Sequence, residues 1–254
     1  MSGQMKHIVE SIQDVAQRHP RAIATTVLLS VVTPQLTHWF VNNYRSFLAL
    51  GRAGIPSNII GWSIAMMAKP FGRETLSTDM YDRDSNKDFW LDDHSIPERR
   101  GDRPRTGWHF LPHRQTNRLP SQDVKERLKA IFGKHAAANP DLLEIAVSPH
   151  ERMHEAMVIK SSRPSPHKVA DHAMREVAHY HPEIDYSLHV TLSPQDCKLV
   201  IERGWGERHP LSGTVALPKE YLLVYAPRDD EELDVVERIL VATIGYVAGS
   251  KEVN

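Results

Sequence analysis

Cysteine is nearly missing from this chain: Cys197 stands alone among 254 residues. That excludes an internal disulfide and any cysteine-rich zinc site, so a metal would have to be held by histidines and carboxylates. Net charge is nearly missing as well. Lys and Arg total 31 against 32 Asp and Glu, a formal charge of -1, which supplies no electrostatic ground for a nucleic-acid partner. Several signatures of cofactor chemistry are absent: there is no glycine-rich phosphate loop, no G-x-S-x-G elbow, no H-E-x-x-H and no dinucleotide fingerprint. Nucleotide, flavin and nicotinamide cofactors therefore have no motif in their favour.

Charge disappears again locally. Residues 22–44 carry no Asp, Glu, Lys or Arg, and about 20 apolar residues suffice to cross a bilayer as a helix. The run is diluted by Thr25, Thr26, Ser30, Thr33, Gln35 and His38, and Pro34 would kink it, while Trp39 and Tyr44 sit where interfacial aromatics often do. A second uncharged run, residues 53–68, is short and suits an interfacial helix. The expectation is a membrane-associated helical region over residues 1–75, ahead of a main domain over residues 76–254. Two buried helices of a soluble protein are the alternative.

Lysine is missing from residues 93–120, which hold four prolines and six arginines. Prolines at that density forbid a long helix, so a loop laid over the domain is expected, with a short strand at residues 107–111. Its arginines could grip an anion through their planar donor forks or could simply be solvated. Residues 121–136 then read as a helix with Ser121 as N-cap and Val124, Leu128 and Ile131 on one side.

Histidine, by contrast, is abundant, at 15 residues. Three of them lie in AHYHPEIDYSLHV, residues 178–190. Residues 168–179 read as a helix ended by Pro182, and residues 186–192 as a strand with Tyr186, Leu188, Val190 and Leu192 on one face and Ser187, His189 and Thr191 on the other. His179, His181, His189 and Asp185 could assemble a metal site, or the same residues could supply a general base, because imidazole titrates near neutrality and an Asp can orient it. Next comes a helix with Ser193 as its cap, ending at Gly204. The loop GWGERHPLSG, residues 204–213, sets Trp205, Arg208 and His209 together, as a substrate wall or as a plain connector. A strand at residues 221–226 and a helix capped by Asp229, with Leu233, Val236, Leu240, Thr243, Ile244 and Val247 as its buried stripe, complete the chain. The fold class is α+β: a small sheet with helices packed on it, preceded by the N-terminal helical segment.

AHYHPEIDYSLHVTLSPQD, ERGWGERHPLSG and YLLVYAPRDDEELDVVERILVATIGYV, in that order, closely resemble the fungal bioluminescence luciferase family and the wider luciferase-domain group. Arg103-Pro104, His109, Arg114-Gln115 and His154-Glu155-Ala156 are similar to further family segments. The resemblance implies a membrane-associated oxygenase that uses molecular oxygen and neither a metal nor an organic cofactor. The implied substrate is a 3-hydroxylated styryl-pyrone related to hispidin, which reacts through an endoperoxide with loss of carbon dioxide and emission of light. Such chemistry needs a base, for which His189 and His181 are the candidates. His209 and Arg208 are expected to steady the pyrone oxygens and Trp205 and Tyr225 to wall the flat ring, with His179, Asp185, Ser187, Arg114, His109 and His154 as further substrate contacts. A non-luminous oxygenase of a related pyrone or polyketide, or a membrane-tethered binding protein without catalysis, would use the same pocket.

Overall fold

The computed structural model describes residues 3–253. They fall into two compact units that divide between Ser46 and Phe47. The first holds α1 (Gly3–Arg18) and most of α2 (Pro20–Leu48), which runs unbroken through Pro34. Met5, Ile8, Val9, Ile12 and Val15 recur at helical spacing along α1 and are exposed, as are Val27, Leu28, Val31 and Leu36 on α2. Among the described residues no helix is long and apolar enough to cross a membrane. The spanning segment expected from residues 22–44 is therefore not found: its hydroxyl, amide and imidazole side chains lower its mean hydropathy too far.

The second unit begins at Phe47, so residues 47–75 belong with the main domain rather than with the N-terminal helices. It contains, in order, α3 (Ile59–Ala68), α4 (Asp79–Asp82), α5 (Gln122–Ala138), β1 (Leu143–Val147), β2 (Glu155–Ile159), α6 (Lys168–His172), β3 (Glu176–Tyr180), β4 (Leu188–Thr191), α7 (Pro194–Glu202), β5 (Gly206–Arg208), β6 (Tyr221–Val224) and α8 (Asp230–Ala248). The strands make one six-stranded sheet in the order β1-β2-β3-β4-β6-β5, with every pairing antiparallel. The long helix α8 packs on β3 and β4, and α5 packs on α8 and β1. Asp229 caps α8 by accepting the Glu232 amide at 3.0 Å, and Gly249 ends it at φ 65°, a left-handed turn that favours glycine. The whole expected stripe from Leu233 to Val247 is buried.

Strand alternation divides the sheet. Leu188, Val190 and Leu192 join the apolar core under α8, whereas Ser187, His189 and Thr191 are buried on the opposite face. Across that second face the register lines up Ala156 with His179, His179 with His189, His189 with Leu223, and Leu223 with Glu207. His179, His189 and Glu207 thus share the sheet face opposite α8, with the apolar Ala156 and Leu223 in the same row.

Three local expectations are corrected. The helix over residues 168–179 stops at His172; Met174 and Arg175 turn at φ 52° and 62°, and residues 176–180 form β3. Val169, Ala173 and Val177 fit a helical period, but pairing on both sides with β2 and β4 outweighs that weak local preference. The loop at residues 204–213 contains β5, and no strand forms at residues 107–111, where the pairing is a single bridge between Thr106 and Gln115. Three of the six arginines of residues 93–120 are held internally rather than left for an anion. Arg99 donates to Glu232 at 2.8 Å and to the Ala226 carbonyl, Arg103 donates to the Gly206 and Ile201 carbonyls, and Arg114 is paired internally, so this segment is stapled down by its guanidiniums.

Burial by itself would raise the Glu232 carboxyl, but hydrogen bonds from Arg228 and Arg99 bring it down to about 2. A carboxyl depressed on folding stabilises the protein above its unfolded value near 4.5 and loses that contribution as pH falls toward 2. Glu232→Gln is expected to cost roughly 2–4 kcal/mol near pH 7, because Arg99 is left buried without its anion. Urea titrations at pH 7, 5 and 3 check this: the deficit should shrink as the pH falls, and a pH-independent deficit would contradict it.

Candidate functional site

The polar face of the sheet is covered by the chain around residues 53–55 and 110–113 and by the loops after β1 and β5, leaving a cavity of about 410 Å³. Ile55, Phe110, Pro112, Leu211 and Leu217 contribute apolar wall, and His113, His150, Glu151, His189, His209 and Tyr221 contribute the titratable part. His189 lies flat on Tyr221, ring centroids 4.9 Å apart and planes 15° apart. A hollow of similar size beside α8, lined by Trp90, Asp92, Asp234, Glu237 and Arg238, is an open surface feature carrying solvated charges. The histidine-walled cavity is the candidate site.

Each imidazole has one donor and one acceptor nitrogen when neutral, and its fixed partners decide which is which. His189 Nδ1 faces the Leu222 carbonyl at 3.1 Å, so Nδ1 carries the proton and Nε2 the lone pair. His181 Nδ1 faces Asp185 Oδ1 at 3.0 Å, and its Nε2 accepts from Arg114 Nη1 at 2.9 Å. Ser187 donates to Asp185 Oδ2 at 2.7 Å and keeps that carboxylate in place. His179 Nδ1 faces Glu176 Oε1 at 2.5 Å, and its buried Nε2 has no hydrogen-bond partner. His209 is committed at both ends: its Nδ1 accepts the Leu211 amide at 3.0 Å, and its ring bonds to the Phe110 backbone. His113 directs Nε2 at Glu207 Oε1, 2.9 Å away, which leaves a buried, unpartnered lone pair on Nδ1. Glu207 is itself held by the Tyr225 hydroxyl at 2.7 Å and by Thr106 at 3.1 Å.

The field at the site favours the neutral ring at His150, His181, His189 and His209 and the ionised form of Glu151, Glu176, Asp185 and Glu207. Burial pushes His189 well below its ordinary value, and the neighbouring His181, His179, His209 and His113 act in the same direction. Burial and then the Arg114 charge lower His181 to about 4 against the pull of Asp185. Glu151 would be raised by burial, but Arg114 and the imidazoles of His181 and His179 bring it to about 2. Arg114 is fully buried and grips Glu151 at 2.6 and 3.1 Å.

His189 and His209 line the cavity, while His179, His181, Asp185, Ser187 and Arg114 form a buried layer beside it. Arg208 does not join His209. Alternation along β5 puts Glu207 and His209 on the cavity side, and the Arg208 guanidinium turns to the Glu74 carbonyl at 2.6 Å and the Glu74 carboxylate at 3.1 Å. Trp205 is no cavity wall: its indole donates to the Pro97 carbonyl at 2.6 Å, and its ring lies under Arg99. Tyr225 reaches the site only through Glu207, His109 packs its ring against Phe47 and Trp108, and His154 precedes β2 outside the cavity lining. Sequence reasoning missed His113, His150, Glu151, Glu176, Glu207 and Tyr221. His113 adjoins Arg114 and Glu207 sits between Gly206 and Arg208, but only the packing of the segment around residues 110–113 on β5 makes them partners.

A cavity of small-molecule size, walled by imidazoles that their neighbours orient, on an antiparallel sheet backed by helices, defines an α+β protein with an enzyme-type site. The family model for the luciferase domain matches residues 174–243. The luciferase of Armillaria ostoyae is 37% identical over 239 residues, covering 89% of each chain, and that of Armillaria mellea is 37% identical over 241 residues with the same coverage. The luciferase of Neonothopanus nambi is 31% identical over 254 residues, 96% of this chain and 93% of its own. The chain belongs to the luciferase family of these fungi. No solved structure matches it.

Removing one member of the buried ion pair leaves the other without compensation. Arg114→Met should cost about 3–5 kcal/mol, whereas Arg114→Met with Glu151→Met should recover most of that loss. Denaturant unfolding of the two single variants and the double variant measures the coupling, and additive losses would show that the pair does not act as a unit.

Proposed function

We propose that the chain is an oxygenase acting on a 3-hydroxylated styryl-2-pyrone, 3-hydroxyhispidin, with molecular oxygen as co-substrate and no organic cofactor. The pyrone enol loses its proton, the electron-rich enolate combines with oxygen to give an endoperoxide, carbon dioxide leaves, and the ring-opened product emits light. Identity to fungal luciferases over most of the chain supports the class of reaction. The observation that carries the reading is His113 in the cavity wall, with Nδ1 buried and unpartnered and the Glu207 carboxylate behind its Nε2.

In this reading His113 is the base that takes the enol proton, and Glu207, steadied by Tyr225 and Thr106, steadies the imidazolium that results. The same pair borders a second cavity of about 230 Å³ lined by Lys69, Thr106 and Pro210, which offers the proton a way out without crossing the substrate. His189 and Tyr221 give the flat ring a stacking surface, and Arg152 at the cavity mouth supplies cationic attraction for the enolate. Phe110, Leu211 and Leu217 keep water from the peroxide.

Purified protein given 3-hydroxyhispidin in air should emit light while consuming oxygen and releasing carbon dioxide. Product without light would mark a dark oxygenase, and binding without either would mark a non-catalytic ligand protein. His113→Gln should lower turnover by about 10²–10⁴-fold with a folded chain. Unchanged turnover would remove His113 from the mechanism.

The N-terminal helices complete the reading. The exposed apolar row of α1, flanked by Lys6 and Arg18, suits a helix lying in the headgroup region rather than crossing it. The full chain should float with anionic lipid vesicles, and Ile8→Glu with Ile12→Glu should weaken that flotation. Equal flotation of the double variant would place the attachment elsewhere.

A further inference from the structure

We propose that His179, His181 and His189 form a binding site for one divalent first-row transition-metal ion at the sheet side of the cavity. This goes beyond the luciferase reading, and it departs from the metal-free chemistry that the family resemblance implies.

Ring geometry is the first support. The three imidazole centroids make a nearly equilateral triangle with sides of 5.3, 5.2 and 5.1 Å. A bound ion about 2.0–2.1 Å from each nitrogen lies about 3.2 Å from each ring centre, and tetrahedral angles then put the centres about 5.2 Å apart. One ligand nitrogen from each residue lies within 4.8 Å of the others. A closed tetrahedral set would have them roughly 3.4 Å apart. Any remaining gap has to be closed by small tilts of rings that stay hydrogen-bonded through Nδ1.

The partners of the other nitrogens are the second support. All three Nδ1 atoms are occupied, by Glu176, by Asp185 and by the Leu222 carbonyl, so all three lone pairs reside on Nε2. A carboxylate or carbonyl behind each ring is the arrangement that orients a metal-bound histidine and strengthens its basicity. His179 Nε2 is buried with no partner, a cost that an ion would remove. Glu151 Oε1 lies 4.0 Å from the Nε2 atoms of both His179 and His181, within reach of a fourth coordination position.

Charge is the third. Glu176, Asp185 and Glu151 are buried around the rings, and Arg114 neutralises only one of them. With neutral imidazoles two negative charges remain, which a dication balances. Arg114 holds Glu151 through two nitrogens and donates to His181 Nε2 through one of them, so loading the ion requires it to release the histidine while keeping the carboxylate. Imidazole donors with a nearby carboxylate suit zinc, iron, cobalt or copper rather than calcium or magnesium.

The test uses the full-length, untagged chain stripped with a chelator and titrated separately with Zn²⁺ and Co²⁺. Elemental analysis after dialysis should find one ion per chain, Co²⁺ should develop the visible bands of a nitrogen-ligated site, and the ion should raise Tm. His179→Gln and His189→Gln should abolish retention, and Glu176→Gln, which keeps all three ligands, should weaken it by about 10–100-fold. Substoichiometric retention of both metals, or equal retention by the folded His179→Gln and Glu176→Gln variants, overturns the proposal. Metal content is read without light or pyrone turnover, so failure here and failure of the luciferase reading are distinct results.

Discussion

The pairing of His179 with His189 across β3 and β4 is the constraint on which the rest of the site depends. Their neighbours on the two strands, Ala178 and Tyr180, Leu188 and Val190, are committed to the core under α8. A slip of one residue would carry the histidines into that core and the apolar side chains into the cavity. Burying the α8 side of the sheet therefore sets the position of the polar side. Register that is costly to change is what makes a site of imidazoles possible on strands only four or five residues long.

Burial gives those imidazoles their chemical character. His181 and His189 sit where a charged ring is disfavoured, and each is oriented by an oxygen on one nitrogen, so the identity of the proton-bearing atom follows from the neighbours. The oxygens come from different parts of the chain. Glu176 is on β3 itself, Asp185 is in the turn before β4, Leu222 is on β6, and Glu207, behind His113, is on the edge strand β5. The proline- and arginine-rich segment then closes the face, with Arg99, Arg103 and Arg114 fastening it to carbonyls and carboxylates of the sheet and of α8. Taken alone its arginines could grip an anion or be solvated; once folded, Arg99, Arg103 and Arg114 serve as internal fasteners.

Much of the back half of the chain was legible residue by residue. The caps Ser121, Ser193 and Asp229, the stripe along α8 and the alternation around His189 are local patterns, and local patterns survive folding when the tertiary context agrees with them. β3 was misread because Val169, Ala173 and Val177 satisfy a helical period, while the two partners that make residues 176–180 a strand lie elsewhere in the sequence. β5 hid in a glycine-flanked loop for the same reason. The N-terminal run looked long enough to span a bilayer by its lack of charge, but its hydroxyls and amides keep it below the apolarity that spanning needs.

What the sequence determined by itself was the class of fold, the helix boundaries marked by caps, and the fact that His189 stands on a polar strand face, because each depends on residues within a few positions of one another. What only the tertiary structure decided was the company that face keeps. Arg208 and His209 are adjacent in sequence yet point to opposite sides of β5, whereas His113 and Glu207 are far apart in sequence and share a hydrogen bond. Strand pairing and the loops packed on the sheet convert long sequence separations into contacts of a few ångströms. No local pattern records which carboxylate will stand behind which ring.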